Sequence, residues 1–95
     1  MRRIQWSAAS ERDLEAIDDY WSAYSEDQAD AILDRIREAG DFLAGLPFAG
    51  SLIDVGPARK WRVKSSRYVL IYRLDEQSIQ ILRVRHDQEN WADPE

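Results

Sequence analysis

The first half of the chain carries apolar side chains at the spacing of amphipathic helices. In the first such stretch they recur at steps of three, four and three, and acidic residues occupy most of the positions between them. These apolar positions are Leu14, Ile17, Trp21 and Tyr24. The 3.6-residue period predicts a helix at about 8–23. Ser7 has the side chain to cap its N-terminus, and residues 3–6 are predicted to form a short strand before it.

A second helix is predicted at about 26–44. Ser25 and Gln28 have the spacing of a capping box at its start. Its apolar positions are Ala29, Ile32, Leu33, Ile36, Ala39 and Leu43. Only a few residues link the two helices, so we expect an antiparallel hairpin whose apolar stripes face each other. The aromatic side chains of Tyr20, Trp21 and Tyr24 are expected mainly in the core, with contact to a partner as the alternative.

The pattern changes after the hairpin. Glycine and proline residues recur at short intervals between Gly45 and Ala58, which predicts a surface loop. Runs of β-branched and aromatic residues then predict three strands separated by tight turns. These strands are placed at 61–64, 67–73 and 79–85. The predicted fold class is α+β in the order βααβββ, with the antiparallel helical hairpin packed on a small, mainly antiparallel twisted sheet.

Length and composition restrict the classes of protein that remain. At 95 residues with 44% hydrophobic content, we expect residues 1–95 to form a single small domain that ends in an acidic tail at 86–95. Because the chain has no cysteine, disulfides and thiolate metal sites are excluded. The N-terminus lacks the apolar run of a signal peptide or a membrane span. We therefore expect a cytoplasmic protein without a membrane partner.

Charge is distributed unevenly along the chain. Residues 1–58 carry twelve acidic and five basic side chains, whereas residues 59–86 carry eight basic and two acidic ones. The last nine residues add four acids and no base. A basic segment on a protein of net charge −5 indicates a surface that binds an anionic ligand or an acidic partner.

Alternation along the strands predicts which face each basic side chain occupies. On the last strand, one predicted face holds Ile79, Ile81, Arg83 and Arg85, and the other holds Gln80, Leu82, Val84 and His86. Arg62 and Lys64 are predicted to point away from Trp61 and Val63. Each cation taken alone is also compatible with a solvated position whose aliphatic stem covers the sheet. As a cluster, they predict a binding surface.

Several short motifs in this order resemble the RelE/ParE superfamily of type II toxin-antitoxin toxins. They are ASERDLEAIDDYW, LAGLPFAG, VGPARKWRV, RYVLIYRL and IQILRVRH, and together they span nearly the whole chain. The P-x-x-G of Pro47–Gly50, followed by arginine-rich strands and a terminal R-V-x-H, is more similar to the ParE branch than to the RelE branch. The resemblance implies a growth-inhibiting toxin that a cognate antitoxin neutralises in a toxin-antitoxin hetero-oligomer.

The resemblance leaves two activities open. ParE-type members poison DNA gyrase without being nucleases, whereas RelE-type members cut messenger RNA on the ribosome. A RelE-like nuclease would require His86 or a tyrosine for proton transfer and Arg62, Arg67 and Arg83 as cations. A non-toxic binding module derived from a toxin is a further alternative. The residues predicted to bind antitoxin or target are Arg59, Lys60, Arg62, Lys64, Arg67, Arg83, Arg85 and Trp91.

The remaining candidate chemistry is limited. His86 is the only histidine, and a single histidine at a strand end, here beside Arg85 and Asp87, is more often a structural hydrogen-bonding residue than a catalytic one. With one histidine, no cysteine and no carboxylates at binding-loop spacing, we expect no metal site and no cofactor. The tail after the last strand is acidic, which disfavours RNA binding. Trp91 within it is predicted either to be solvated or to pack back on the fold.

Overall fold

The computed structural model describes residues 2–53 and 56–87, which fold as two helices packed on one five-stranded sheet. The elements are β1 (Arg3–Trp6), α1 (Ala8–Ser22), α2 (Glu26–Gly45), β2 (Ser51–Leu52), β3 (Arg59–Arg62), β4 (Tyr68–Leu74) and β5 (Ser78–His86). The strands lie in the order β1-β5-β4-β3-β2. Strand β1 runs parallel to β5, and the other neighbours are antiparallel. The predicted α+β fold is confirmed.

Both helices begin at the predicted caps. The Ser7 hydroxyl accepts a hydrogen bond from the backbone N–H of Ser10 at 3.0 Å, and the Ser25 hydroxyl accepts one from Gln28 N–H at 3.3 Å. Each cap satisfies a donor that the first helical turn cannot pair. The two helices lie against each other as a hairpin, as the short link between them predicts.

The core lies between this hairpin and the sheet. Helix α1 buries Leu14 and Ile17, and α2 buries Ile36 and Leu43. The sheet contributes Leu70, Tyr72, Ile79, Ile81 and Val84. A smaller apolar cluster of Ala58, Val69 and Ile71 lies on the opposite face of β4, which explains why that strand is apolar nearly throughout.

The segment predicted to be a loop contains one further strand, β2. Its position depends on Tyr72, a fully buried side chain of β4. The Tyr72 hydroxyl donates a hydrogen bond to the carbonyl of Pro47 and accepts one from Gly50 N–H, both at 2.9 Å. Burial is the main cause of the raised pKa of Tyr72. These contacts hold the chain beside β3, where two residues pair as β2.

A β-bulge in β5 contradicts the predicted assignment of faces. Ile71 pairs with Arg83 but its neighbour Tyr72 pairs with Ile81, so Leu82 is the extra residue. The bulge reverses the alternation, and Val84 therefore joins Ile79 in the core. The prediction that Arg83 and Arg85 share a face with Ile79 and Ile81 is wrong for this reason.

Candidate functional site

Three basic side chains meet at the end of the sheet where β3 and β5 finish and β4 begins. Arg62 is the last residue of β3, Arg67 immediately precedes β4, and His86 ends β5. The antiparallel pairing brings these ends together, because Arg62 pairs with Val69 and Tyr68 pairs with His86. The turn at Ser66 supports this arrangement, since its hydroxyl donates to Val63 carbonyl and accepts from Tyr68 N–H. The sequence predicts these cations as members of a larger basic cluster, and the strand pairing places Arg62, Arg67 and His86 side by side.

The carboxylate of Asp87 lies at the centre of this group. One Nη atom of Arg62 is 2.7 Å from Oδ2, Nδ1 of His86 is 3.5 Å from Oδ1, and one Nη atom of Arg67 is 4.0 Å from Oδ1. The backbone N–H of Asp87 donates to the carbonyl of Arg67 at 2.7 Å, which fixes the position of the side chain. We refer to Arg62, Arg67, His86 and Asp87 as the strand-end cluster.

Aromatic side chains form a wall beside the strand-end cluster. The indole N–H of Trp21 donates to the hydroxyl of Tyr68 at 3.0 Å, and the Tyr68 ring packs edge-on against His86. Two surface grooves of about 500 and 430 Å³ share this wall. Residues that line both are Trp21, Arg67, Tyr68 and His86. A ligand in either groove would contact both the aromatic wall and the cluster.

The guanidinium of Arg83 pairs with a different carboxylate, that of Asp13. It donates two hydrogen bonds to Asp13 at 2.8 and 2.9 Å, and Val84 N–H donates to the same carboxylate at 2.8 Å. Burial acts to raise the pKa of Asp13, but the hydrogen bonds from Arg83 and Val84 and the positive charges outweigh it. The pKa of Asp13 is therefore held below its ordinary value of 3.8. This ion pair attaches α1 to β5.

The outer face of the sheet, which points away from the helices, carries two rows of paired residues. One row contains Lys60, Ile71 and Arg83, and the other contains Arg62, Val69 and Arg85. Directly paired residues place their side chains on the same face. Lys60 and Arg62 therefore lie beside the apolar centre of β4 on the outer face, whereas Arg83 and Arg85, on β5, also line the groove beside α1.

Two of the predicted binding residues lie elsewhere. Arg59 begins β3, at the end opposite Arg62, where its guanidinium donates to Gly50 carbonyl at 2.7 Å and stacks on the Phe48 ring. Lys64 lies beyond the end of β3, so alternation no longer governs it, and it lines a groove of about 370 Å³ with Trp61. The prediction that Lys64 shares a face with Arg62 is wrong for this reason. Trp91 lies outside the described residues.

Two of the aromatic side chains that were expected mainly in the core, Tyr20 and Tyr24, are exposed to solvent. Tyr20 is 57% exposed and Tyr24 is 70% exposed, whereas Trp21 between them is only partly exposed. Tyr24 follows the end of α1, where helical periodicity no longer applies, and Tyr20 lies beside the core stripe rather than on it. The three rings contact one another at the tip of the hairpin, with centroids 5.3 to 6.1 Å apart. An aromatic cluster that is partly solvent-exposed is typical of a contact surface.

Within residues 2–53 and 56–87, no group of three or more histidines and carboxylates is arranged to hold a metal ion. Neither helix in these ranges is long and apolar enough to cross a bilayer.

The fold matches that of chains in structures of toxin-antitoxin systems. A structure of the chromosomal ParDE toxin-antitoxin system from P. aeruginosa superposes with a TM-score of 0.81 at 24% identity, covering 90% of this chain and 96% of that one. The E. coli DinJ-YafQ complex matches with a TM-score of 0.58 at 14% identity, over 90% of this chain and 93% of that one. At these identities, the likeness establishes the fold.

Family membership follows from the sequence itself. Residues 4–91 match the family model of the ParE toxin of the type II toxin-antitoxin system parDE. The toxin candidate Y4kP of Sinorhizobium fredii (strain NBRC 101917 / NGR234) is 31% identical over 98 residues, covering 95% of this chain and 93% of that protein. The chain belongs to the ParE toxin family, within the RelE/ParE superfamily of type II toxin-antitoxin toxins.

Proposed function

We propose that this ParE-family toxin inhibits growth by poisoning DNA gyrase in the cytoplasm, and that a cognate antitoxin holds it inactive. The observation that favours gyrase over messenger RNA as the target is the ion pairing of two arginines with carboxylates. Arg62 and Arg83 are among the three arginines that an RNA-cleaving site would require, and each is engaged by a carboxylate of the same chain. This favours a toxin that acts by contact with a protein.

The physical reason lies in the charge that RNA cleavage develops. Attack by a 2′-hydroxyl places additional negative charge on the phosphate, which unopposed cations must stabilise. Asp13 accepts two hydrogen bonds from Arg83, and Asp87 accepts one from Arg62. A carboxylate at this distance repels the developing charge and offsets much of the stabilisation. Both arginines are therefore poorly suited to phosphoryl chemistry.

An antitoxin segment fits the two grooves beside the helical hairpin. Each groove combines apolar and aromatic surface with cations, and Arg67 lines both. An acidic, amphipathic segment could place apolar anchors against Trp21 and carboxylates against Arg67, and fold as it binds. The P. aeruginosa ParDE and E. coli DinJ-YafQ structures are of systems that pair a toxin with an antitoxin, which supports such a partner.

The gyrase proposal can be tested with purified toxin, gyrase and supercoiled plasmid. A gyrase poison should trap the cleaved DNA complex, so that linear plasmid appears after denaturation and protease treatment. Induced expression in a bacterial host should then arrest growth and activate the DNA-damage response. Codon-positioned cuts in messenger RNA with no trapped gyrase complex would contradict the proposal, and absence of any growth effect would indicate an inert binding module.

The antitoxin site can be tested by reversing charge at Arg67. The variant Arg67→Glu should weaken antitoxin binding by at least tenfold, because a carboxylate would then face the acidic segment. Arg73→Glu makes the same change at another exposed position of the sheet and should bind as the unmodified toxin does. Equal affinities of the two variants would contradict this location.

A RelE-like messenger RNA endonuclease remains the second candidate, and one contact favours it. Nδ1 of His86 lies 3.5 Å from Asp87, and a carboxylate beside an imidazole can orient it for proton transfer. On this alternative, His86→Ala should abolish RNA cleavage while the thermal stability of the protein is retained. A gyrase poison should keep its activity in the same variant.

A further inference from the structure

Exposed apolar side chains are concentrated between the last turn of α2 and strand β2. Six large apolar side chains are clearly exposed within residues 2–53 and 56–87, and four of them lie in this stretch. These four are 43 to 64% exposed, and we refer to them as the apolar patch: Phe42, Leu46, Phe48 and Leu52. The other two are the tyrosines of the hairpin tip. A concentration of exposed apolar side chains marks a contact surface, so the patch indicates a second one on this molecule.

The topology of the sheet explains why the patch is exposed. Leu52 pairs with Arg59, which pairs with the core residue Tyr72, so the three side chains share the helix-facing side of the sheet. The two helices pack mainly on β1, β5 and β4, towards the other side of the strand order. Leu52 is therefore exposed although it lies on the face that forms the core elsewhere in the sheet.

Stacking contacts hold the patch in place. Phe42 stacks on Trp61 with ring centroids 5.2 Å apart, and the guanidinium of Arg59 lies over the Phe48 ring at 5.1 Å. Arg2 lies over the same ring at 6.0 Å. Side chains that are already held lose less conformational entropy when a partner binds, so these contacts preorganise the patch for binding.

The charges around the patch are mainly positive. Four cations and one acid stack on Phe48 or line the groove of about 370 Å³ that contains Phe42. They are Arg2, Arg35, Arg59, Lys64 and Glu38. Arg2 and Arg59 donate hydrogen bonds to backbone carbonyls, which hold the guanidinium groups without cancelling their charge. On a protein of net charge −5, this positive rim fits an acidic partner.

A second copy of the chain does not match this charge. Association of two copies about a twofold axis brings the same surface of each copy together. The cations around the apolar patch would then face one another, and like charges in contact disfavour association. A different protein, with an apolar surface flanked by carboxylates, satisfies both the apolar patch and its positive rim.

We propose that the apolar patch is the surface through which the toxin contacts DNA gyrase. Apolar side chains of gyrase pack on Phe48 and Leu52, and its carboxylates lie against Arg2, Arg59 and Lys64. This inference rests on the proposed function and gives the target a surface separate from the antitoxin grooves.

The two surfaces nevertheless adjoin. Arg35 and Ser65 line both the groove that contains Phe42 and the groove of about 430 Å³ assigned to the antitoxin. An antitoxin segment in the latter would therefore lie next to the apolar patch. Its bulk would keep a protein as large as gyrase away from the patch, which accounts for neutralisation even though the antitoxin does not cover the patch itself.

Purified toxin, gyrase and supercoiled plasmid provide the test. Phe48→Ser and Leu52→Ser remove apolar contact area at exposed positions, so each variant should fold and unfold in urea as the unmodified toxin does. Each should require at least about tenfold more toxin to produce the same amount of linear plasmid, and should bind gyrase correspondingly more weakly in biolayer interferometry. Tyr24→Ser is the matched control, because it removes an exposed ring at the hairpin tip and should trap gyrase normally.

A charge reversal tests the positive rim. Lys64→Glu places a carboxylate against the acidic surface of gyrase and should weaken gyrase binding at least about threefold, with a smaller dependence on salt than in the unmodified toxin. Arg73→Glu makes the same change at another exposed position and should bind gyrase as the unmodified toxin does. Equal losses in the two variants would show general electrostatic attraction and overturn the role of the rim.

The outcomes separate this inference from the proposed function. If the unmodified toxin traps no gyrase complex, the proposed function is wrong and the inference falls with it. If the unmodified toxin traps gyrase, and Phe48→Ser and Leu52→Ser do so at the same concentration, the proposed function stands and the apolar patch is not the contact surface. If sedimentation equilibrium shows a dimer that both substitutions dissociate, the patch binds a second copy of the chain, which also overturns the inference.

Discussion

Asp13 and Arg83, seventy residues apart in the chain, form a bidentate ion pair that replaces a missing strand at one edge of the sheet. Strand β1 ends at Trp6, so no strand in the part of the chain that the structure describes pairs with β5 on this side beyond Ile81. The Ser7 hydroxyl donates to the carbonyl of Leu82, and Asp13 accepts from Val84 N–H. The start of α1 thereby satisfies backbone groups that β1 would otherwise pair.

The first prediction concerns Asp13→Asn. The substitution removes the negative charge from a carboxylate that accepts three hydrogen bonds, two of them from Arg83. Hydrogen bonds to charged groups contribute more than neutral ones, so we expect the free energy of unfolding to fall by about 2 kcal/mol at pH 7. Urea unfolding followed by circular dichroism measures the change. Asp19→Asn, at an exposed position of the same helix, is the control and should be nearly neutral.

The same pair predicts a dependence on pH. Because the folded protein holds the pKa of Asp13 below 3.8, the ionised carboxylate contributes stability at neutral pH that is lost as pH falls through the folded value. The difference in unfolding free energy between the unmodified protein and Asp13→Asn should therefore shrink below about pH 4. A difference that stays constant from pH 7 to pH 3 would contradict this assignment.

Tyr72→Phe should be destabilising although it removes only one oxygen atom. The hydroxyl pairs with Pro47 carbonyl and Gly50 N–H in the core, and its loss leaves the Gly50 donor without this partner. We expect a loss of about 1–3 kcal/mol in unfolding free energy. Tyr24→Phe, which removes a hydroxyl from a side chain that is 70% exposed, should change stability by less than about 0.5 kcal/mol. Similar effects of the two changes would show that the Tyr72 contacts are unimportant.

Gly50→Ala tests the close approach that positions β2. A Cβ atom at residue 50 would lie 2.5 Å from the Lys60 carbonyl oxygen and 2.5 Å from the Tyr72 hydroxyl. The carbonyl belongs to the β3 backbone and cannot move without disturbing the sheet. We expect a loss of about 2–4 kcal/mol, measured as a lower urea midpoint. Gly45→Ala is the matched control at the end of α2, where a Cβ atom would have no neighbour within 4 Å, and it should be neutral or slightly stabilising.

The sequence predicts those parts of the fold that depend on local periodicity. The helices and the strands β3, β4 and β5 follow from spacing within one segment, and all were found near their predicted positions. Strand β2 could not be predicted because two residues carry no period. Its position depends on Tyr72, a contact twenty-two residues away. The bulge at Leu82 was also missed, since a run of apolar and basic residues in β5 fits either register.

The candidate site was predicted less completely than the fold. Counting charges identified Arg62 and Arg67, but Asp87 was grouped with the acidic tail and not recognised as their partner. A carboxylate directly after His86 at a strand end was the available signal. Asp13 is one of the acidic residues between the apolar positions of α1, and helical spacing alone does not reveal that Arg83 reaches it from the edge of β5.

Substitutions of the exposed tyrosines at the hairpin tip can distinguish an effect on antitoxin binding from an effect on stability. Tyr20 lines the groove of about 500 Å³ and is 57% exposed, so Tyr20→Ser should cost little stability but weaken antitoxin binding at least tenfold. The measurement is calorimetric titration of the antitoxin segment into each folded variant. Tyr24→Ser is the matched control, because Tyr24 is more exposed and does not line that groove. If Tyr24→Ser weakened binding as much as Tyr20→Ser, the antitoxin would contact the hairpin tip as a whole. If neither did, the groove would not be the antitoxin site.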